Sequence, residues 1–298
     1  MAGLGTNVSN EHSMRARMNG FTTLNGNPVQ LWFFDVNSSN SGFMGNRFSP
    51  SAHIEIVEGE MVSIDVLNAS NMDHTIHLHG LDVDQANDGV ATTSQPIAPF
   101  ETFTYQFIAP FAGTYHYHCH IDTVLHYHKG MAGAIIVRPP GGRTDIGWEG
   151  GPAFDEEILW QFGTYDTSWE GIDTSSSITA RHRPDVFMIN GLVTNDAVVD
   201  PFTEIRMRRG QVGYLRVVNQ AYQFARFSLG GLPFQVVATD GRPMPQPVMA
   251  DSWELGTGER YDVLFSSDVS LAGLATVEYL HDYTREVIGT ASTLIRIR

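Results

Sequence analysis

The sequence predicts an all-β chain made of two copies of one β-sandwich unit, and three observations carry that expectation. Strand-type segments dominate: β-branched and aromatic runs alternate with polar residues and close on Gly, Pro, Asn or Asp. An apolar period of 3.6 residues, the mark of an amphipathic helix, is hard to find over any useful length. The chain also repeats itself. HIEIVEGEMVSIDVLNASNMDHTIHLHG, starting at His53, aligns without a gap on EIRMRRGQVGYLRVVNQAYQFARFSLGG, starting at Glu204. Gly59 thereby meets Gly210, Asn68 meets Asn219 and Gly80 meets Gly231.

In chain order, strands are expected at Val29–Val36, an aromatic run, and at His53–Val57 and Met61–Leu67, which flank the turn residue Gly59. Further strands are expected at Thr102–Ile108, Thr114–Cys119 and Ala134–Val137. Between Pro139 and Pro152 a Gly or Pro falls every few residues, which reads as an inter-domain linker. Two domains of ordinary size follow, residues 1–140 and 153–298.

Composition removes whole classes of function. A formal net charge of −15 argues against nucleic acid and anionic membrane surfaces, which need clustered Lys and Arg. No run of eighteen apolar residues exists, so no spanning helix is expected. The opening, MAGLGTNVSNEH, lacks a basic segment followed by an apolar one, so no secretory leader is expected in the chain as given. A single cysteine excludes an internal disulfide.

Ten of the 12 histidines precede residue 129, and eight of them surround Cys119. A thiolate with imidazoles around it and a thioether downstream is the ligand set of a blue-copper centre: His74, Cys119 and His126, with Met131 as weak axial ligand. His128 is an alternative to His126 on spacing. Cys119 packing as a small hydrophobe and Met131 filling core are the bland readings. His77 and His79 alternate along a strand and share one face; His116, His118 and His120 do the same, with Tyr115, Tyr117 and Cys119 on the opposite face. One strand would then give Cys119 to a metal inside its domain and His118 and His120 to a second metal outside it. His12, His53 and His182 lack motif context and read as satisfied or solvated histidines.

These residues resemble the multicopper oxidase family, particularly small two-domain laccase-like members, and more distantly copper nitrite reductases. His74–Gly80, HTIHLHG, is similar to the family's H-x-x-H-x-H-G element, and HYHCHIDTVLHYHKGM to its copper loop. The stretch from Asp88 through Gln95, Ile97 and Tyr105 to Phe107 resembles D-G-V…Q-x-P-I-x-P…Y-x-F. VVATDG at Val236–Gly241 and GERYDVLF at Gly258–Phe265 are similar to non-copper domains of laccases. The resemblance implies two cupredoxin-like Greek-key sandwiches with copper as cofactor. It also implies single-electron oxidation of a small-molecule or protein donor through an exposed His126. Electrons would pass by Cys119 to His118 and His120 and on to dioxygen, with Asp88 assisting proton delivery. A turn aspartate before glycine is the other reading of Asp88.

The family's trinuclear cluster needs eight histidines, four from each of two domains. The first half offers His77, His79, His118 and His120, whereas the second holds only His182 and His281. His281 is expected on the strand matching His116–His120, opposite the position of His120 or Cys119. His79, His118 and a neighbouring chain's His281 would make a single three-histidine site like that of nitrite reductases, although the accompanying Asp and His correspond here to His77 and Leu232. A homotrimer would bring such sites together. Laccase-like chemistry is the leading expectation; nitrite reduction and a non-enzymatic blue-copper electron carrier are the alternatives. Relatives of this kind point to a periplasmic or extracellular location.

Overall fold

A computed structural model describes residues 4–5, 8–36 and 49–298 of the chain. The first half contains β1 (Glu11–Leu24), β2 (Asn27–Val36), β3 (Ile54–Val57), β4 (Met61–Asn68), β5 (His77–His79), β6 (Thr102–Ile108), β7 (Gly113–His118), the short helix α1 (Thr123–His128) and β8 (Ala132–Arg138). They form two four-stranded sheets, β2-β1-β4-β6 and β3-β8-β7-β5. Alternation sets the layers. In β4, Val62, Ile64 and Val66 are buried while Met61 and Asp65 are exposed, so one face of the pleat closes the core.

The second half contains β9 (Glu156–Tyr165), β10 (Val186–Ile189), β11 (Ile205–Met207), β12 (Val212–Asn219), β13 (Phe224–Ser228), β14 (Phe234–Thr239), β15 (Arg242–Ala250), β16 (Ser252–Leu255), β17 (Arg260–Ser266), β18 (Leu271–Leu280) and β19 (Val287–Ile297). Its sheets are β10-β9-β12-β17-β14-β15 and β11-β19-β18-β13-β16. The fold is an all-β pair of cupredoxin-like sandwiches, and the pairing repeats. β1 runs parallel to β4 as β9 does to β12, and β3 parallel to β8 as β11 does to β19. β5 pairs antiparallel with β7 as β13 does with β18.

Chemistry repeats with topology. Gly59 and Gly210 both take φ 78°, a left-handed turn that disfavours any side chain. Asn68 donates to the carbonyl of Met72 and accepts from the amide of Ser70; Asn219 donates to the carbonyl of Gln223 and accepts from the amide of Ala221. Each asparagine therefore staples the same turn in its own sandwich.

The apolar cores fall within residues 14–137 and 158–297, and we propose that the two sandwiches are separate domains. The expected linker is not a loose tether. Ile146 bridges Ala153, and Trp148 packs against a cluster of Phe154, Tyr214 and Val237.

Charge binds the halves. Arg138 is fully buried, with its Nε 2.7 Å from Glu55 and its two terminal nitrogens each 2.8 Å from an oxygen of Glu157. Arg216 joins Glu157 at 2.6 Å and donates to Thr114 at 2.9 Å. Thr114 in turn donates to Asp262 at 2.6 Å. A paired network of this kind is costly to break, because each removed partner strands a buried charge. It encloses Thr114 on β7, a strand buried at every residue. Tyr115 and Tyr117 belong to the core of the first half, with the Tyr115 hydroxyl reaching Gly241, whereas Thr114 bonds Asp262 and His116 lies beside Gly258 in the second half.

Candidate metal centres

Cys119 follows directly on β7, and α1 returns the chain so that His126 faces it. Its Sγ lies 3.2 Å from His126 Nδ1 and 3.6 Å from His74 Nδ1, and all three residues are fully buried. Ligand bonds of about 2.0–2.3 Å put neighbouring ligand atoms roughly 3–4 Å apart, so one thiolate and two imidazoles at these separations fit a single copper ion. The loop is tied by its backbone: Cys119 N donates to Met131 O at 3.0 Å and Met131 N to His126 O at 3.1 Å. Met131 is fully buried in the same apolar cluster as Cys119 and Leu125.

The tautomer of His74 follows from its partners. Asn68 Nδ2 donates to two carbonyls, Met72 and Ile97, so its Oδ1 is the acceptor for the Ser70 hydroxyl at 2.7 Å. With its proton so engaged, Ser70 Oγ accepts from His74 Nε2 at 2.8 Å. Nδ1 is left as a lone pair aimed at the sulfur. Burial lowers the pKa of His74 to about 3 and of His126 to about 4, leaving both imidazoles neutral, and pushes the Cys119 thiol up to about 12. A bound cation would have to displace that proton.

The second group lies on the other face of the same strand. His77 pairs with His118 and His79 with His116 across β5 and β7. One ring nitrogen each from His77, His79 and His118 lies within 4.8 Å of the others. His118 Nδ1 donates to the carbonyl of Cys119 at 2.9 Å, leaving Nε2 as the donor atom. His77 Nδ1 donates to the carbonyl of Asp88 at 2.8 Å, with that residue's carboxylate 3.4 Å away. The backbone turn that presents Asp88 requires Gly89: its φ is 73° and an added Cβ would lie 1.8 Å from the Ile76 carbonyl oxygen. The His120 ring centroid stands 5.4 Å from that of His77 and 5.8 Å from that of His118. His116 stacks on His79 at 4.2 Å, fully enclosed, with its Nδ1 unpartnered. Burial lowers the pKa of His118 to about 3 and of His79 to about 4, and the neighbouring Arg260 charge adds to the second.

Several expectations change. His126 is not exposed: its Nε2 is buried without a partner, and the Trp32 ring meets its face edge-on at 5.0 Å. The cause is long-range, since Trp32 N donates to Lys129 O and lays β2 across the copper loop. His128 does not replace His126. It turns away from the sulfur to stack on Tyr165 at 4.2 Å. His281 is not on the strand. Strand β18 starts at Leu271 as β7 starts at Gly113, and Thr276 faces Ser228 as His118 faces His77. Position for position, Glu278 corresponds to His120, and His281 falls three residues beyond, in the turn after Leu280. His182 is satisfied at one nitrogen only: its Nδ1 meets Gln223 at 3.2 Å, whereas its Nε2 is buried and unpartnered. His53 does find a partner in Glu55, 3.4 Å away.

Sequence reasoning missed what covers the histidine group. Gly258, at the turn before β17, packs against His79, and Arg260 lies beside it with one terminal nitrogen bonded both to Gly258 O at 2.7 Å and to Asp240 at 2.9 Å. Both belong to the GERYDVLF segment, whose motif pattern gave no hint of this contact.

Two separate stretches, residues 30–142 and 163–270, match the family described as multicopper oxidase. The chain belongs to the multicopper oxidase family. Copper is the metal of that family, and the two donor sets above are of the kind that holds it. This multicopper oxidase chain is 30% identical over 242 residues to Laccase-15 of Oryza sativa subsp. japonica, covering 75% of this chain and 38% of the relative. It is 27% identical over 271 residues to the L-ascorbate oxidase of Cucumis sativus, covering 80% of this chain and 44% of the relative. The chain thus spans about two fifths of the length of these curated relatives. Among solved structures, the blue copper oxidase from Nitrosomonas europaea superimposes with a TM-score of 0.77 at 25% identity, covering 96% of this chain and 85% of that one.

Proposed function

We propose that this protein is a copper-dependent oxidoreductase of laccase type, taking single electrons from a small-molecule or protein donor and delivering them to dioxygen. One observation carries the reading. Cys119 directly follows His118, the last residue of β7, the two side chains belong to different donor sets, and they are also linked by the hydrogen bond from His118 Nδ1 to Cys119 O at 2.9 Å. Sulfur, carbonyl and imidazole therefore make a continuous path of a few bonds between the two donor sets. Copper, when bound, supplies reversible one-electron exchange at the first set and dioxygen reduction at the second. His74, Cys119, His126 and Met131 are assigned to the first set, and His77, His79, His118 and His120 to the second. Asp88 is assigned to proton delivery: its carboxylate stands beside His77, whose position its own main-chain carbonyl fixes.

Dioxygen is favoured over nitrite because the relatives named above are laccases and oxidases. An enzyme is favoured over a plain electron carrier because two linked donor sets serve no purpose in a carrier. We further infer that the second set is completed across a subunit boundary, in a homotrimer. β5 is the edge strand of its sheet, and His77, His79 and His120 are only partly buried there. His281 accepts two backbone N–H groups at Nδ1, which leaves Nε2 for a neighbour. Among the described residues no helix is long and apolar enough to cross a membrane. We place the protein in the periplasm or outside the cell, as the family resemblance implies.

Counting copper per chain beside a visible spectrum tests the function. An oxidase shows intense red absorption and more than one copper per chain, and Cys119→Ser abolishes the band while the second set still loads. One copper per chain would make it an electron carrier. His281→Ala should remove copper from the second set without bleaching the band; unchanged copper content would retire the shared-ligand reading.

A further inference from the structure

A second cluster of imidazoles lies outside both donor sets. His128 closes α1, and His182 comes from the segment before β10, so the pair spans the seam between the sandwiches. Their ring centroids are 5.3 Å apart at 78°. Both ring nitrogens of His128 are buried without a hydrogen-bond partner, as is Nε2 of His182. His128 itself is 5% exposed. Leaving three such nitrogens unpaired costs about 1–3 kcal/mol each, so two adjacent rings in this state call for a missing partner.

We propose that His128 and His182 form a separate metal site for one monovalent copper ion. The surroundings select charge and coordination number. Asp166 accepts from Ser168 and from Arg183 N, and Asp282 Oδ2 pairs with Arg181; Asp282 Oδ1 is buried without a partner, but among the described residues no carboxylate oxygen groups with the two imidazoles as a third ligand. Two neutral imidazoles without a charged ligand suit a two-coordinate monovalent ion, whereas a divalent ion asks for more donors and a larger desolvation cost. Trp169 completes the enclosure, its ring 5.1 Å from His128 and 4.9 Å from His182. Gln223 sits 3.2 Å from His182 Nδ1 and 2.8 Å from Thr164 Oγ1. As placed, Gln223 Nε2 faces His182 Nδ1 and its Oε1 accepts from Thr164; metal binding at His182 Nε2 requires the amide to exchange its two ends, so that Oε1 accepts from Nδ1–H while Nε2 donates to Thr164.

Silver(I), a redox-inert stand-in for copper(I), tests the site directly. Crystals of the copper-loaded protein soaked in silver nitrate should show an anomalous peak between His128 and His182. A water there, with no peak, overturns the proposal. In solution, the fully reduced protein should bind one more copper(I) per chain than His182→Ala under anaerobic competition with a chelator. On reoxidation the variant should keep its red absorption, which reports the Cys119 site independently. Equal copper(I) counts would reject the site. Should alanine at 182 impair folding, His182→Gln and the silver experiment on the unaltered protein give the same decision.

Discussion

Ser70→Ala isolates what holds His74 ready for copper. The hydroxyl is one link in a chain running from Asn68 Oδ1 through Ser70 Oγ to His74 Nε2, with steps of 2.7 and 2.8 Å. Removing it leaves an imidazole N–H with no acceptor in a fully buried position, a cost of about 1–3 kcal/mol. The ring then gains by moving its proton or by rotating, and either change withdraws Nδ1 from the sulfur 3.6 Å away. Losing such a supporting contact costs roughly 10–100-fold in metal affinity, or about 1.4–2.7 kcal/mol.

The assay is copper competition against a chelator of known affinity, read at the red absorption band. Because Cys119 is untouched, the band should persist at saturating copper while half-loading moves to higher free metal. Ser70→Thr keeps the hydroxyl and should recover most of the affinity. An alanine variant that binds copper within twofold of the parent would refute the assignment of the Nε2–H tautomer and the role drawn from it.

Three further outcomes follow from named contacts. Asp88→Asn keeps the main-chain bond to His77, so blue-copper reduction should stay fast in stopped flow while reduction of the acceptor slows by about 10²-fold; equal loss of both steps would make Asp88 a turn residue only. Gly89→Ala drives a Cβ to 1.8 Å from the Ile76 carbonyl, so the 76–89 segment must move; a drop in stability of several kcal/mol by denaturant unfolding should accompany copper loss at the histidine set, and a parental midpoint would show that the turn is soft. Burial pushes the Glu55 pKa up, but the His53 hydrogen bond, the Arg138 charge and the Gly5 N–H together bring it down to about 2. Glu55 should therefore contribute roughly 3 kcal/mol above its ordinary value of 4.5, lost as pH falls from there through about 2; Glu55→Gln should flatten acid unfolding over that window.

Local chemistry was legible in the sequence, and long-range packing was not. The strands at Met61–Asn68 and Thr102–Ile108 announce themselves because one buried face imposes a two-residue period. The thiolate set is legible for a different reason: a lone cysteine among imidazoles is rare without a metal. Choosing between His126 and His128 was beyond pattern. The choice depends on a six-residue helix that turns the two rings in different directions, and spacing does not encode that turn. Trp32 over His126 and Gly258 against His79 depend on contacts between residues roughly a hundred or more apart, which no local pattern carries. His281 was misplaced because strand lengths, and so the register of β18, differ from the motif alignment by a few residues.

Comparing the two copies separates what the fold needs from what the metal needs. Asn68 and Asn219 make matching bonds, and Gly59 and Gly210 make matching turns, so these residues serve the sandwich. Ser70 and His74 correspond to Ala221 and Ala225, and by strand register Cys119 corresponds to Val277. In the second copy all three positions are buried apolar side chains, and Ala221, Ala225 and Val277 belong to one continuous core. The second sandwich closes at these positions with hydrocarbon alone. The first therefore keeps polar groups there at a cost in burial that packing does not require. Ser70 also bonds the turn at Met72, but its contact to a fully buried histidine that faces an equally buried thiol is a polar arrangement the second copy does without, and an ion between ring and sulfur would complete it. That asymmetry between equivalent positions argues for the copper centre independently of any motif.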